Sequence, residues 1–219
     1  MDDAEPGNDA VDRLVTQLFA LVSEALAGAT HALLAGDVRI AQMVIERDES
    51  IDTMVGRAEV LVWEMIDARD AEPVGLRRLV ATLLILPELE RSADLAEHVA
   101  QRALTGLGEA MTPLSRGIVQ RMTEVGLEMW QTVAGAYSDR SHQAIPLDEA
   151  DEEIDVLHKR LTGEVALGTM DTATAAQVTL LARFYERLGD HAVNLARRIS
   201  AQQITAEDPP PTPPAEGAR

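Results

Sequence analysis

The chain lacks cysteine altogether and has few aromatic residues, with two each of Trp, Tyr and Phe among 219 residues. Without cysteine there are no disulfides, no thiolate catalysis and no thiolate-bound zinc, and the composition is compatible with a reducing cytoplasm. Hydrophobic residues make up 46% of the chain but aromatics only 3%. Any core is therefore built from Leu, Val, Ile, Ala and Met, which favours helices over β-sandwiches.

Positive charge is also scarce. The 19 Lys and Arg residues face 37 Asp and Glu residues, which gives a net charge of −18. A surface of this sign repels the phosphate backbone of DNA and RNA. We therefore expect no direct binding to nucleic acid.

A leader sequence and a long apolar run are missing as well. The first residues, Met1 to Pro6, are acidic and lack the basic segment and apolar run of a signal peptide. The longest apolar stretch, Leu79 to Pro87, is interrupted by Thr82 and is shorter than the roughly 18 residues that span a bilayer. We expect a cytoplasmic protein without direct membrane insertion.

Two motifs each occur twice along the chain. Residues 90–94 (ERSAD) match residues 186–190 (ERLGD) at an offset of 96, and residues 46–52 match residues 149–155 at an offset of 103. The chain is therefore a duplicated unit, with extra residues between the two motifs of the first copy. A connecting loop absorbs such a length difference more easily than a packed helix does.

The spacing of apolar residues at three- and four-residue steps predicts six helices, over residues 9–34, 38–68, 74–104, 113–136, 147–166 and 174–204. No segment shows the alternation of a strand. The prediction is an all-α protein made of two tandem antiparallel three-helix bundles, residues 9–106 and 109–206, related by internal duplication.

The remaining segments and helix boundaries also have predicted roles. Asp37 is placed to cap the second helix, and Pro87 to kink the third. The segment from Gly106 to Gly108 is interpreted as a linker between the bundles. Residues 1–8 are expected to form a frayed lead, and residues 207–219 a disordered, acidic, Pro-rich tail.

Carboxylates are paired one helical turn apart at four places, which are Asp48/Asp52, Glu90/Asp94, Asp151/Asp155 and Glu186/Asp190. In each half, a pair on the second helix can face a pair on the third. The repulsion is tolerable if the groups are solvated, if Arg47, Arg91 or Arg187 screens them, or if a hard cation bridges them. Two interpretations therefore stay open: a solvated acidic face, or an oxygen-ligand site for Mg, Mn, Ca or iron.

Histidine and serine patterns point to no catalytic centre. A di-iron carboxylate bundle needs Glu-x-x-His on two helices, and here the nearest match is Asp155-x-x-His158. No nucleophile motif or phosphate-binding Gly-rich loop is present in the sequence, so we expect no enzyme activity. A stand-alone metal-storage or redox carboxylate bundle remains the alternative. The other histidines are expected at the surface or at helix ends, namely His31, His98, His142 and His191.

The motifs together resemble the PhoU family of phosphate-signalling proteins. The chain has Asp-x-x-Ile-Asp at residues 48–52, Leu76-Arg77 early in the third helix, and Leu-Glu-Arg-x-x-Asp at residues 89–94. The most specific stretch is residues 180–192 (LLARFYERLGDHA) followed by Asn194. The resemblance extends over nearly all of residues 9–206.

This resemblance implies a cytoplasmic, usually dimeric regulator that links the ATPase of the phosphate ABC transporter to a phosphate-sensing histidine kinase. Such a protein restrains phosphate uptake and the phosphate-starvation response. A PhoU-like accessory of a low-affinity phosphate carrier is the other reading within the family. The family's acidic motifs imply metal binding by Asp48, Asp52, Glu90, Asp94, Asp151, Asp155, Glu186, Asp190 and Asn194.

The first copy departs from the family pattern at several positions. Ser92-Ala93-Asp94 stands where Ile-Gly-Asp is usual, and His98 stands where the second copy has Asn194. Pro87 is also unusual. The resemblance therefore implies a metal site more strongly for the second half than for the first.

Overall fold

The computed structural model describes residues 6–68, 73–139 and 145–202, and within these ranges it contains helices and no strands. The all-α prediction is confirmed, with six long helices and one short one. They are α1 (Pro6–Ala35), α2 (Val38–Asp67), α3 (Pro73–Leu104), α4 (Leu107–Ala110), α5 (Pro113–Ser138), α6 (Asp148–Ala166) and α7 (Thr172–Gln202). The predicted disordered tail, residues 207–219, lies outside the described residues.

The helices begin where local residues satisfy their first backbone N–H groups. The Asp37 side chain accepts a hydrogen bond from the Ile40 backbone N–H at 3.0 Å, as predicted. Thr112 caps α5 in the same way, because its hydroxyl oxygen accepts from the Ser115 N–H at 3.1 Å. Helix α1 starts at Pro6, ahead of its predicted start at residue 9. Part of the predicted frayed lead is therefore helical.

Helices α1, α2 and α3 pack together as one bundle, and α5, α6 and α7 pack as a second. Contacts of α1 with α5 and of α3 with α7 join the bundles, so that one core runs through both. Phe19 of α1 contacts two aromatic rings of α5, with ring centroids 6.0 Å from Trp130 and 5.7 Å from Tyr137. The two repeats thus share a single hydrophobic interior.

The predicted linker between the bundles is a packed turn. Gly106 has a φ of 74°, a left-handed conformation that favours glycine, and the one-turn helix α4 follows it. Gly108 lies directly against α1, since a Cβ built there would be 1.7 Å from the Leu33 carbonyl oxygen. Arg116 of α5 donates a hydrogen bond to the Gly108 carbonyl. The segment therefore connects the two bundles and also packs against both of them.

Helix α1 contains a long apolar span. Its span Asp9–Ala35 is long and apolar enough to cross a membrane by length and composition. In the most apolar 18-residue stretch of that span, 44% of the residues are buried inside the fold. Core helices of helical bundles meet the same length and composition test, so this feature is weak evidence for a membrane span.

Candidate functional site

Four of the predicted carboxylates meet on the outer side of the first bundle, where the antiparallel helices α2 and α3 pack together. We call Asp48, Asp52, Glu90, Asp94 and Glu97 the first acidic face. Burial and then the charges of Asp52, Glu97, Asp94 and Glu90 raise the pKa of Asp48 to about 6. The two predicted pairs therefore face each other across the helix contact.

The other groups of the first acidic face show the same mutual repulsion. Burial first, and then the neighbouring charges of Asp94 and Glu49, raise the pKa of Asp52. The pKa of Glu90 is also raised, mainly by burial and then by Asp52, with Arg91 acting in the opposite direction. The face is thus rich in carboxylates with little opposing positive charge.

The sequence analysis missed Glu97 as a member of this face. Glu97 follows Asp94 by three residues and Glu90 by seven, which is a helical repeat that places all three on one side of α3. Its charge acts on Asp48 more strongly than that of Asp94 or Glu90. A search for acidic residues at positions i, i+4 and i+7 along the third helix would have found Glu97.

The second acidic face consists of Asp151, Asp155, Glu186 and Asp190, where α6 packs on α7. Burial, and then the charges of Asp155 and Asp190, raise the pKa of Asp151. Burial and Asp190 likewise raise the pKa of Glu186. The predicted pairs of the second repeat therefore also meet.

Positive groups surround the second acidic face more closely than the first. Lys159 Nζ lies 3.8 Å from Asp155 Oδ2, and Arg183 hydrogen-bonds Glu186. Arg197 counteracts the raised pKa of Asp151. Because the first face has fewer opposing cations, electrostatics favour it as the stronger attractor of a positive ion, which is the reverse of the order inferred from the motif departures.

Carboxylate oxygens are the ligands that hard cations prefer, and the mutual repulsion within each face would fall if a cation bound there. Asn194 lies one turn beyond Asp190 on α7 and is partly buried. Among the described residues, however, no three His, Asp or Glu side chains converge closely enough to hold a metal ion. The donor chemistry fits such an ion, and metal binding at these positions stays a prediction.

A buried polar cluster joins the two bundles where α3 meets α7. Ser92 Oγ lies 2.8 Å from His191 Nδ1 and donates a hydrogen bond to the Glu88 backbone carbonyl oxygen at 2.6 Å. His191 Nε2 lies 3.8 Å from Glu88 Oε2, and Arg198 Nη2 lies 2.9 Å from Glu88 Oε1. We call Glu88, Ser92, His191 and Arg198 the inter-bundle cluster.

The inter-bundle cluster corrects the expectation for His191. This side chain is only 6% exposed, although the sequence analysis placed it at the surface or at a helix end. Burial is the main cause that lowers the pKa of His191, and Glu88 opposes this effect. Ser92, on the other repeat, supplies the polar contact that makes this burial possible. The spacing of apolar residues in α7 does not reveal that contact.

His98 also contributes to the contact between the bundles. It is exposed, as expected, and its ring centroid lies 5.5 Å from that of Phe184 on α7. The guanidinium carbon of Arg102 lies 4.4 Å from the centroid of the same ring, within cation–π range. His98 therefore packs on the second bundle at the position where the second repeat has Asn194. His142 lies outside the described residues.

Comparison with known proteins matches both halves of the chain to one family. The model of the PhoU domain matches residues 15–103 and 119–199. A Mycobacterium tuberculosis protein, "Phosphate-specific transport system accessory protein PhoU homolog 2", is 31% identical over 198 residues, which cover 87% of this chain and 91% of that protein. A Caulobacter vibrioides PhoU homolog is 31% identical over 206 residues, covering 89% of each chain.

A solved structure has the same fold. The crystal structure of PhoU from Pseudomonas aeruginosa superposes with a TM-score of 0.82 at 24% sequence identity, and the match covers 88% of this chain and 95% of that one. The architecture of two joined three-helix bundles is therefore shared with that protein.

Proposed function

This chain belongs to the PhoU family, and we propose that it is a cytoplasmic accessory protein of a phosphate-specific transport system. It acts by binding, without catalysis, and as a homodimer. It links the ATPase of the phosphate transporter to a phosphate-sensing histidine kinase. In phosphate-replete cells it restrains both phosphate uptake and the starvation response.

The observation that carries this proposal is that both bundles match the PhoU domain. The relatives that carry the name of phosphate-transport accessory protein are covered over 91% and 89% of their own lengths. A match to a single repeat would leave the assignment open. The match of both repeats favours a full two-bundle accessory protein.

The way the bundles are joined supports a role as an adaptor. Glu88, Ser92 and His191 of the inter-bundle cluster are buried between α3 and α7, and Gly108 is packed against the end of α1. These contacts fix the position of one bundle relative to the other. A protein bound to the first bundle is then held at a set position relative to a protein bound to the second.

The two acidic faces are proposed as sites for a divalent cation or iron. Bound there, the ion would neutralise the facing carboxylates of α2 and α3, and those of α6 and α7. Changing Glu186→Ala together with Asp190→Ala is expected to lower the metal content of the purified protein while circular dichroism stays helical. An unchanged metal content would remove these residues from the proposed site.

The adaptor role is tested by affinity capture of the tagged full-length chain from detergent-solubilised cells grown with and without phosphate, read by mass spectrometry. We expect recovery of a phosphate-transporter ATPase and a membrane histidine kinase, in amounts that change with phosphate supply. A deletion strain is expected to express starvation genes in high phosphate, and the wild-type chain to restore repression.

Two results would contradict the proposal. One is the recovery of neither partner under either condition. The other is a deletion strain whose phosphate uptake and starvation genes respond normally. If the purified chain then carried a stoichiometric, redox-active di-iron centre, the stand-alone carboxylate bundle would replace the adaptor.

A further inference from the structure

A groove runs along the outer side of the first bundle, between α1 and the first half of α2. Its cavity volume is about 300 Å³. Its floor is apolar and comes from both helices, with Leu21, Ala25 and Gly28 on α1 and Ile40, Met43, Val44 and Ile51 on α2. The two helices approach closely at Gly28, where a Cβ would be 3.1 Å from Val44 Cγ2.

Three charged side chains line this groove, Arg39, Arg47 and Glu24, and the two arginines give it a net positive charge in a chain whose net charge is −18. Arg39 and Arg47 lie at the rim and are eight residues apart on α2, which corresponds to about 12 Å along the helix. Neither arginine has a strong partner. Arg47 Nη1 is 3.4 Å from Glu24 Oε2 in an exposed pair, and Arg39 Nη1 is 3.4 Å from the Met43 sulfur.

Among the described residues of the second repeat, the helix turns that form this groove are missing from α6. Helix α6 begins at Asp148, which corresponds to Ile45 in the repeat, so it lacks the turns that carry Arg39, Ile40 and Met43. On these turns Ala41 is fully buried in the core of the first bundle, without lining the groove. Met43 stays 41% exposed in the groove.

We propose that this groove is the docking site for an amphipathic helix of a partner protein, whose apolar stripe packs on the floor and whose carboxylates pair with Arg39 and Arg47. The lining residues on α2 run from Arg39 to Ile51, about 18 Å, which is the length of a 12-residue helix. Two acidic residues eight positions apart on the partner helix match the spacing of the arginines. Flexible Met43 adapts to the side chains that enter.

Charge complementarity decides the kind of partner. The rest of this acidic chain repels an acidic segment at long range, so an acidic helix gains favourable pairing only where arginines are clustered beside an apolar surface. The existence of a partner rests on the adaptor function proposed above. The shape and charge of the groove do not depend on that function.

The test places the photo-crosslinker p-benzoylphenylalanine at position 43 of the full-length chain in living cells, with the same crosslinker at exposed Val60 as a positional control. Crosslinked segments are mapped by mass spectrometry. We expect a crosslink from position 43 to a helix with an apolar stripe and two acidic residues about eight positions apart. Arg39→Glu with Arg47→Glu should reduce it about tenfold, whereas Arg57→Glu, on the same helix outside the groove, should not.

Restoration by charge exchange completes the test. Arginine in place of the two mapped acids is expected to restore the crosslink to the doubly substituted groove. A crosslink to a segment without acids, to a second copy of this chain, or to a small amphipathic molecule would overturn the proposal, as would insensitivity to the arginine substitutions. If affinity capture still recovers the transporter with the doubly substituted chain, the adaptor function stands and only the groove assignment fails.

Discussion

Ser92 Oγ and His191 Nδ1 lie 2.8 Å apart, across the contact between the first and second bundles. Ser92 is the residue that departs from the usual Ile of the first-repeat motif, and His191 follows directly after the second-repeat motif. The departure therefore has a structural reason, since a hydroxyl is needed to satisfy a buried imidazole on the other repeat.

The first prediction concerns this hydrogen bond. Ser92→Ala is expected to lower the free energy of unfolding by about 1–3 kcal/mol, because a buried imidazole nitrogen loses its partner. Denaturant unfolding measures the difference. Ser50→Ala is a matched control, since the exposed Ser50 hydroxyl donates to the Arg47 carbonyl in the same local way that Ser92 faces the Glu88 carbonyl. Equal effects of the two changes would contradict the prediction.

The second prediction is a pH dependence due to His191. Its pKa is lowered in the folded state, mainly by burial, so the unfolded chain binds the proton more readily. This residue therefore costs stability as pH falls below about 6.5. As pH falls from 7.5 to 5, the unfolding free energy of His191→Gln is therefore expected to rise relative to that of the wild type. Denaturant unfolding at several pH values measures this difference, and a difference that stays constant over the range would contradict the prediction.

The third prediction concerns the buried carboxylate of Glu88, which is 4% exposed and contacts Arg198 Nη2 at 2.9 Å. Arg198→Ala is expected to cost about 2 kcal/mol, because it leaves a buried charge without its partner, and the partial exposure of Arg198 moderates the loss. Adding Glu88→Gln should recover part of the stability. Arg160→Ala is the surface control. No recovery in the double variant would contradict the assigned pairing.

The fourth prediction concerns Asp48 in metal-free protein. Its folded-state pKa of about 6 lies above the ordinary aspartate value of 3.8, so ionised Asp48 destabilises the fold above pH 6, and this cost fades as pH falls toward 4. Asp48→Asn is expected to stabilise the protein by about 1 kcal/mol at pH 7.5, after allowance for solvent screening. The gain should shrink at pH 5. Glu46→Gln, at an exposed position, is the control.

The fifth prediction separates the two acidic faces. Adding Mn²⁺ is expected to raise the thermal unfolding midpoint, because it relieves repulsion among the carboxylates. Asp48→Asn with Asp94→Asn should reduce this rise more than Asp151→Asn with Asp190→Asn, since Lys159 and its neighbouring arginines already compensate the second face. A larger loss from the second pair, or no rise at all, would contradict this order.

The helices were predictable because their information is local. The start of α2 at Val38 and of α5 at Pro113 follows from the caps at Asp37 and Thr112, which the sequence places directly before each apolar repeat. The facing of the acidic pairs was also predictable, since i, i+4 spacing fixes one side of a helix and a short connection makes neighbouring helices antiparallel.

The contacts between the repeats were not predictable in the same way. The burial of His191 depends on Ser92, which is 99 positions away, and no periodicity within either helix reports that pairing. The packing of Gly108 against Leu33 likewise depends on where α1 ends in space. Glu97 was predictable, because its spacing from Glu90 and Asp94 places it on the same side of α3. A search for further acidic residues on that side would have included it.

The close approach of Gly108 to Leu33 limits how the two repeats can move relative to each other. The turn between the repeats packs against the end of α1, and this contact holds the turn in a fixed position. These contacts oppose a hinge movement of one repeat relative to the other. In the adaptor role proposed above, a change at one partner would then reach the other through a movement of both repeats together, and a side chain added at Gly108 would disturb this arrangement because its Cβ would clash with the Leu33 carbonyl oxygen.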